Sequence, residues 1–383
     1  MGAEMSIRQT AISFLITTAI LLPARAVPPV VRPSLQPGEV IQAGCQVDDV
    51  TSVIVTASQE PRGSRLHFYR SGQLERTAHV SGLSINAIRQ LEASGTKKSN
   101  LFLVSGGAGA SQYVFRVVLL RGEIVDTVWD SSVLSADDSC GSGEDTAFGV
   151  DGRGRLWGCA AGRLTADGGE LIVRAGEIAG RGAKFRTKVT LQLDPSAMNA
   201  LAADLGMPGG QMIEDQRGNP LFVVHWGQHL EVFDLSELKR VGRFQPDDGA
   251  VGGIRWDAGH RLLWTSVQTP SGLSWRAFTP EQIRETPGHA RRWDAAAEIT
   301  QGTGENWTPI FPTAGSPLLR WPGKKGVSRP ALEVVRTGAG PRTSLKKVEI
   351  PEGRILGVSP SGRTVLLKNA AKADEVEILD LSN

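Results

Sequence analysis

FGVDGRGRLW (Phe148–Trp157), MIEDQRGNPLFV (Met212–Val223), IRWDAGHRLLW (Ile254–Trp264) and ILGVSPSGRTVL (Ile355–Leu366) share one pattern. Each sets an apolar strand, a tight turn with glycine, and a second apolar strand. Glycine supplies the positive-φ position that such hairpin turns require. A fifth stretch, WTPIFPTAGSPLL (Trp307–Leu319), fits with a longer turn. Further short strands follow most of them: Leu230–Phe233 and Val241–Phe244, then Ser274–Phe278, and at the end Glu375–Leu381. Upstream, Ser52–Ala57, Arg65–Tyr69 and Glu75–Val80 form one strand set, and Asn100–Val104, Gln112–Leu120 and Glu123–Trp129 form another.

A glycine stands shortly before each expected first strand: Gly82, Gly143, Gly210, Gly253, Gly304 and Gly353, at intervals of 61, 67, 43, 51 and 49 residues. The widest interval holds an insertion over 194–206 that reads as a helix, with Asp194 as N-cap, Pro195 at the first helical position and Gly206 as the stop. A second short helix is expected over 279–285, where Thr279 and Gln282 are placed as a capping box. Repeats of ~40–60 residues with about four strands each predict an all-β fold, a β-propeller. Seven four-stranded blades divide the length best, and six or eight also fit. The competing all-β architecture, a pair of sandwich domains, does not explain hairpins that share one phase.

The phrase Gly357-Val358-Ser359-Pro360-Ser361-Gly362-Arg363 is similar to the apolar-SPDG turn after an inner strand in WD40-like and YVTN-like β-propellers. The chain resembles that broad superfamily over roughly residues 40–383. Trp-Asp pairs occur at Trp129-Asp130, Trp256-Asp257 and Trp293-Asp294, but at different phases of the repeat, so the array is not a standard WD40 one. The resemblance implies a fold and a tendency to bind partners around a central axis, and no family's catalytic motif carries over.

Composition agrees with a turn-dense globular chain. Of 383 residues 45 are glycine, well above the usual ~7%, while the 21 prolines are near their usual share. A net charge of +2 removes the main reason to expect a nucleic-acid partner or a polybasic membrane surface. Residues 1–26 read as a signal peptide: an uncharged apolar run, Ala11–Leu22, then Pro23 and the small-x-small Ala24-Arg25-Ala26. Twelve such residues are too few for a helix across a bilayer, which needs about 20. An uncleaved anchor is the other reading. Nothing later is long and apolar enough to span, so the mature chain is expected to be secreted or periplasmic. Residues 27–39, with Pro28, Pro29, Pro33 and Pro37, read as a linker or an irregular edge before the propeller at 40–383.

Candidate chemistry lies at the starts of the inner strands. Gly141-Ser142-Gly143-Glu144-Asp145 matches Gly302-Thr303-Gly304-Glu305-Asn306. At the same offset other blades supply Leu83, Gln211, Ile254 and Arg354. Glu144, Gln211, Glu305 and Arg354 around the channel would clamp a small polar ligand. Alternatively, Glu144, Asp145, Glu305 and Asn306 would hold a divalent cation such as calcium through their oxygens. The more economical reading is that these residues cap strand starts. The pairs Asp48-Asp49, Asp137-Asp138 and Asp247-Asp248 would add acidity, although no Asp-x-Asp-x-Asp-Gly loop is present. His225 and His229 flank a turn but lack a third metal ligand nearby.

Nine tryptophans against two tyrosines suit wedge-shaped gaps between blades. Cys140 and Cys159 are placed so that a disulfide is feasible, with Cys45 left over; three separate thiols are the alternative. The function expected from the sequence is an exported binding or scaffold module for a protein or a small polar ligand. The different-class alternative is a metal-assisted hydrolase or lyase using Glu144 and Glu305.

Overall fold

The computed structural model describes residues 29–59, 62–91, 100–108, 113–130, 145–151, 153–163, 170–178, 187–192, 210–226, 229–237, 239–244, 249–270, 272–284, 295–302, 304–312, 314–324, 328–337 and 342–382. A two-residue strand, β1 (Val30–Val31), comes first. Blade I is β2 (Glu39–Gln46), β3 (Thr51–Gln59), β4 (Arg62–Arg70) and β5 (Gln73–Ser81). Blade II is β6 (Ser84–Gln90), β7 (Leu101–Gly107), β8 (Tyr113–Arg121) and β9 (Ile124–Asp130). Blade III is β10 (Asp145–Val150), β11 (Leu156–Arg163), β12 (Glu170–Glu177) and β13 (Thr187–Gln192). Blade IV is β14 (Gly210–Glu214), β15 (Pro220–Trp226), β16 (His229–Asp234) and β17 (Lys239–Phe244). Blade V is β18 (Ala250–Asp257), β19 (Leu262–Thr269), β20 (Gly272–Phe278) and β21 (Ala297–Thr300), with the helix α1 (Pro280–Arg284) between its last two strands. Blade VI is β22 (Thr308–Ile310), β23 (Leu318–Trp321), β24 (Ala331–Arg336) and β25 (Thr343–Glu349). Blade VII is β26 (Gly353–Val358), β27 (Thr364–Asn369) and β28 (Val376–Asp380), and β1 pairs with β28 as its fourth strand. Seven antiparallel four-stranded sheets thus form a seven-bladed β-propeller.

The repeated hairpins have a common cause. The residue that ends each of these inner strands accepts the turn's own N–H groups. Asp151 Oδ1 accepts from Arg153 at 3.0 Å and Arg155 at 2.9 Å; Asp215 Oδ1 accepts from Arg217 at 2.9 Å and Asn219 at 2.8 Å. Asp257 does the same for His260, and Ser359 Oγ for Thr364. Gly154 and Gly218, at φ +78° and +74°, take the left-handed position these turns need. Asp48 belongs to the same set, accepting from Val50 and Thr51. It therefore serves as a turn cap, and Asp49 accepts a hydrogen bond from Ser361 of blade VII, so this pair builds structure before it builds an acidic rim.

Gly82 and Gly304 precede β6 and β22, Gly210 and Gly353 open β14 and β26, and Gly143 lies outside the described residues. Gly253 lies inside β18, at a bulge where the register slips between Val251 and Ile254. Gly252 beside it approaches Ser266 closely, so that a Cβ there, 2.4 Å from Ser266 Oγ, would require the hydroxyl to rotate away. The short helix α1 has the expected capping box, with Thr279 N donating to Gln282 Oε1 at 2.8 Å and Gln282 N to Thr279 Oγ1 at 3.3 Å. Arg284 at its end binds Asp215 and Asp234, and Glu281 accepts from Gln216 N, so α1 fastens blade V to the inner turn of blade IV. The helix expected over 194–206 lies outside the described residues.

Because a propeller has no single interior, its apolar side chains collect in the seams between blades. Among the described residues seven clusters occur, one per seam. Trp157 packs between blades III and IV, Trp129 between II and III, and Trp264 and Trp307 between V and VI. Both faces of a blade are therefore covered, which is why strands such as LFVV in β15 read as unbroken apolar runs. The last seam closes through the segment expected to be a linker. Val31, 2% exposed, enters a cluster with Ile41, Ile54 and Tyr69 of blade I and Leu366 and Val376 of blade VII, while Arg32 pairs with Glu375. No helix among the described residues is long and apolar enough to cross a membrane.

Blade I carries a buried titratable group. His67, 1% exposed, hydrogen-bonds Thr56 Oγ1 at 3.0 Å and Thr77 Oγ1 at 3.2 Å. Burial, reinforced by the nearby Arg65 charge, pushes its pKa down to about 4. The folded chain then binds a proton less readily than the unfolded one, so stability is full above the ordinary value near 6.5 and falls as pH drops from there towards 4. We expect urea midpoints to decline over that window, and His67→Gln to flatten the decline while lowering stability at neutral pH.

Candidate functional site

Of the residues expected to form a site at the starts of the inner strands, Gln211, Glu305, Asn306 and Arg354 lie among the described side chains. Glu305 is held by its own blade. Its Oε2 accepts from Gly302 N at 2.8 Å, Trp307 Nε1 at 2.9 Å and Arg342 Nη1 at 3.0 Å, and its Oε1 accepts from Arg342 Nη2 at 2.8 Å. A guanidinium thus stands where a divalent cation would approach, and this carboxylate serves as the cap of its strand start. Arg342 and these donors hold its pKa down to about 2. Asn306 is exposed beside it. Arg354 is exposed on β26, Leu83 and Ile254 are buried in seams, and Gln211 lies half-buried on β14. Glu144 and the pairs Asp137-Asp138 and Asp247-Asp248 lie outside the described residues, as does the side chain of Asp145. Among the described residues no group of three or more His, Cys, Asp or Glu side chains is placed to hold a metal ion.

Because Glu305 is depressed, its stabilising contribution is present above about pH 4.5 and is lost as pH falls towards 2. Glu305→Gln keeps the shape but removes the charge opposite Arg342. With both partners partly solvated, we expect a loss of roughly 1–2 kcal/mol at pH 7 that shrinks to near zero at pH 2, measurable by urea unfolding across pH.

The histidine pair is likewise separated. His225 Nε2 lies 2.7 Å from the Val251 carbonyl of the next blade, whereas His229 Nε2 faces Glu231 Oε1 at 3.1 Å, which also accepts from Arg243. Cys159 is fully buried in the seam between blades III and IV with its sulfur 3.4 Å from the Ala147 carbonyl; its expected partner Cys140 lies outside the described residues.

A cavity does exist, at the opposite end of the inner strands. It encloses about 270 Å³ and is lined by the ends of β6, β10, β14 and β18 and by Phe311 just past β22. Five blades therefore contribute, which places it on the central channel where inner strands run into their hairpin turns. Among the described residues, Gln211 is the one expected residue that lines it. Two exposed arginines, Arg89 and Arg255, face it together with half-buried Trp256 and the buried carboxyl group of Glu214. Arg255 Nη1 donates to the Ile254 carbonyl at 2.7 Å, leaving the other donors of its fork for an outside acceptor. Arg153 and Arg217 stand exposed on the turns after β10 and β14. The aspartates of those turns, Asp151 and Asp215, are paired with Arg155 and Arg284, and the cleft lining itself carries Arg89 and Arg255 against the one carboxyl group of Glu214. In the sequence each of these two cleft arginines is a single charge after an isoleucine, AIR in β6 (SINAIRQ) and IRW in β18.

No protein-family model matches the chain, and no curated protein matches it. Solved structures do. The β-propeller domain of Myceliophteria thermophila Cps50 (Swd1) is 10% identical, with 91% of this chain and 99% of that chain covered, at a TM-score of 0.49. A chain of a mitotic checkpoint complex is 11% identical, with 100% of this chain and 99% of that chain covered, at a TM-score of 0.53. At this identity the second likeness speaks to fold alone. The chain has a WD40-like β-propeller fold.

Proposed function

We propose that the chain is an exported binding module, and that a protein partner docks where the inner strands meet their hairpin turns. The observation that carries this is the cleft itself, in which polar and aromatic side chains from five blades converge on one opening. The leader-like residues 1–26 support export. The similar chain from a mitotic checkpoint complex was solved within a protein assembly, which agrees with a docking role and names no partner. The hydrolase or lyase reading relied on Glu144 and Glu305, and Glu305 is committed to Arg342.

The test is a photo-cross-linking amino acid placed at position 256, in the cleft, or at position 345, exposed on the outer strand β25. In the producing cells, position 256 should give a discrete protein adduct in the exported fraction and position 345 should not. Equal adducts from both positions, or none from 256, would overturn the proposal.

A further inference from the structure

Resting on the docking reading, we infer that the cleft takes an acidic, partly apolar peptide segment, with carboxylates on Arg89 and Arg255 and an apolar side chain against Trp256 and Phe311. The chemistry follows from the walls. Arginine presents a planar fork that matches a carboxylate; the Arg255 fork offers donors for one, and Arg89 adds a second positive charge at the same opening, which suits a segment carrying several acidic side chains. Arg153 and Arg217 on the adjoining turns extend the positive field over the rim, which steers an acidic segment towards the opening.

Other anions fit less well. At about 270 Å³ the cleft is just below the range of about 300–1,000 Å³ usual for small-molecule and cofactor pockets, a size that suits a few side chains. Its wall also carries the Glu214 carboxyl group and the Gln211 amide. A peptide brings N–H donors for those acceptor oxygens as well as carboxylates for the arginines, whereas a polyphosphate brings acceptors only. Trp256 and Phe311 would stay unmatched beside a bare anion, but each can cover an apolar side chain. A nucleic acid would need a long basic track, and the chain's net charge is only +2.

The experiment uses the whole mature chain and a fluorescein-labelled peptide EEEFEEE, with QQQFQQQ and tripolyphosphate as comparisons, read by fluorescence anisotropy and competition. The acidic peptide should bind, weaken as salt rises from ~0.05 to ~0.5 M, and resist displacement by tripolyphosphate. Arg255→Ala and Arg89→Ala should each weaken it about tenfold or more, the scale of losing a charge-assisted contact. Arg354→Ala, exposed on β26 and away from the cleft, should leave it unchanged, and thermal melts confirm that each variant is folded. Equal binding of QQQFQQQ, displacement by tripolyphosphate at equal concentration, or insensitivity to both cleft arginines would overturn the inference. If the peptide fails while position 256 still cross-links, only the partner's chemistry is wrong. If both fail, the docking reading falls with it.

Discussion

Val31→Asp is expected to loosen the ring where it closes. Val31 and Val30 are neighbours on the same two-residue strand, paired with Val376 and Glu377 of β28, but they face opposite ways. Val31 is 2% exposed in the seam between blades VII and I, whereas Val30 is 41% exposed. An aspartate at 31 would bury a carboxyl group among Ile41, Ile54, Tyr69 and Leu366 without a partner, at a cost of roughly 3–5 kcal/mol. That is a large part of the ~5–15 kcal/mol that holds a typical domain together. Val30→Lys, placed opposite Glu377, should cost less than about 0.5 kcal/mol or stabilise slightly. Urea unfolding reads both, and limited proteolysis of Val31→Asp should cut first near blade VII. Equal effects of the two substitutions would mean that β1 does not close the ring.

The second large effect is expected in the seam between blades V and VI. Trp264, 1% exposed, stacks on Phe311 with ring centroids 4.7 Å apart and packs against Trp307 and Leu319 of the next blade. Truncating it leaves a cavity that two rigid sheets cannot collapse to fill, so Trp264→Ala should cost about 3–5 kcal/mol. Its indole N–H is buried without a hydrogen-bond partner. Trp264→Phe therefore removes no hydrogen bond and should cost only about 1 kcal/mol, reflecting lost ring area. Because Phe311 also lines the cleft, Trp264→Ala should weaken peptide binding, while Trp264→Phe should largely preserve it. A Phe variant as damaging as the Ala variant would show that the N–H matters more than the stacking.

Much of the architecture was legible because the inner hairpins carry local signals. Asp and Gly at fixed places in the turn dictate its backbone, and the same residues cap it in the structure, as at Asp151 with Gly154 and Asp215 with Gly218. The capping box of α1 was legible for the same reason. Elements set by tertiary pairing were not. Two valines amid Pro28, Pro29 and Pro33 have no strand pattern of their own, and β1 exists because β28 offers a free edge. Gly253 misled the phase because a bulge uses glycine as readily as a turn does. For the site, a repeated Gly-x-Gly-Glu motif marks where inner strands begin, and Glu305 shows that such a residue is consumed in capping. Sequence spacing does not reveal which end of a channel stays open, so Arg89 and Arg255 became visible only when five strand ends met.

The central claim is that the working end of this propeller is the basic cleft beside Arg89 and Arg255, at the hairpin ends of the inner strands. A crystal structure of residues 27–383 with EEEFEEE bound tests it most directly. The account predicts peptide density in the cleft, with carboxylates on the two guanidinium groups and the phenylalanine ring near Trp256. Peptide density at the other end of the inner strands, around Glu305 and Asn306, or a cleft left empty at saturating peptide, would contradict it.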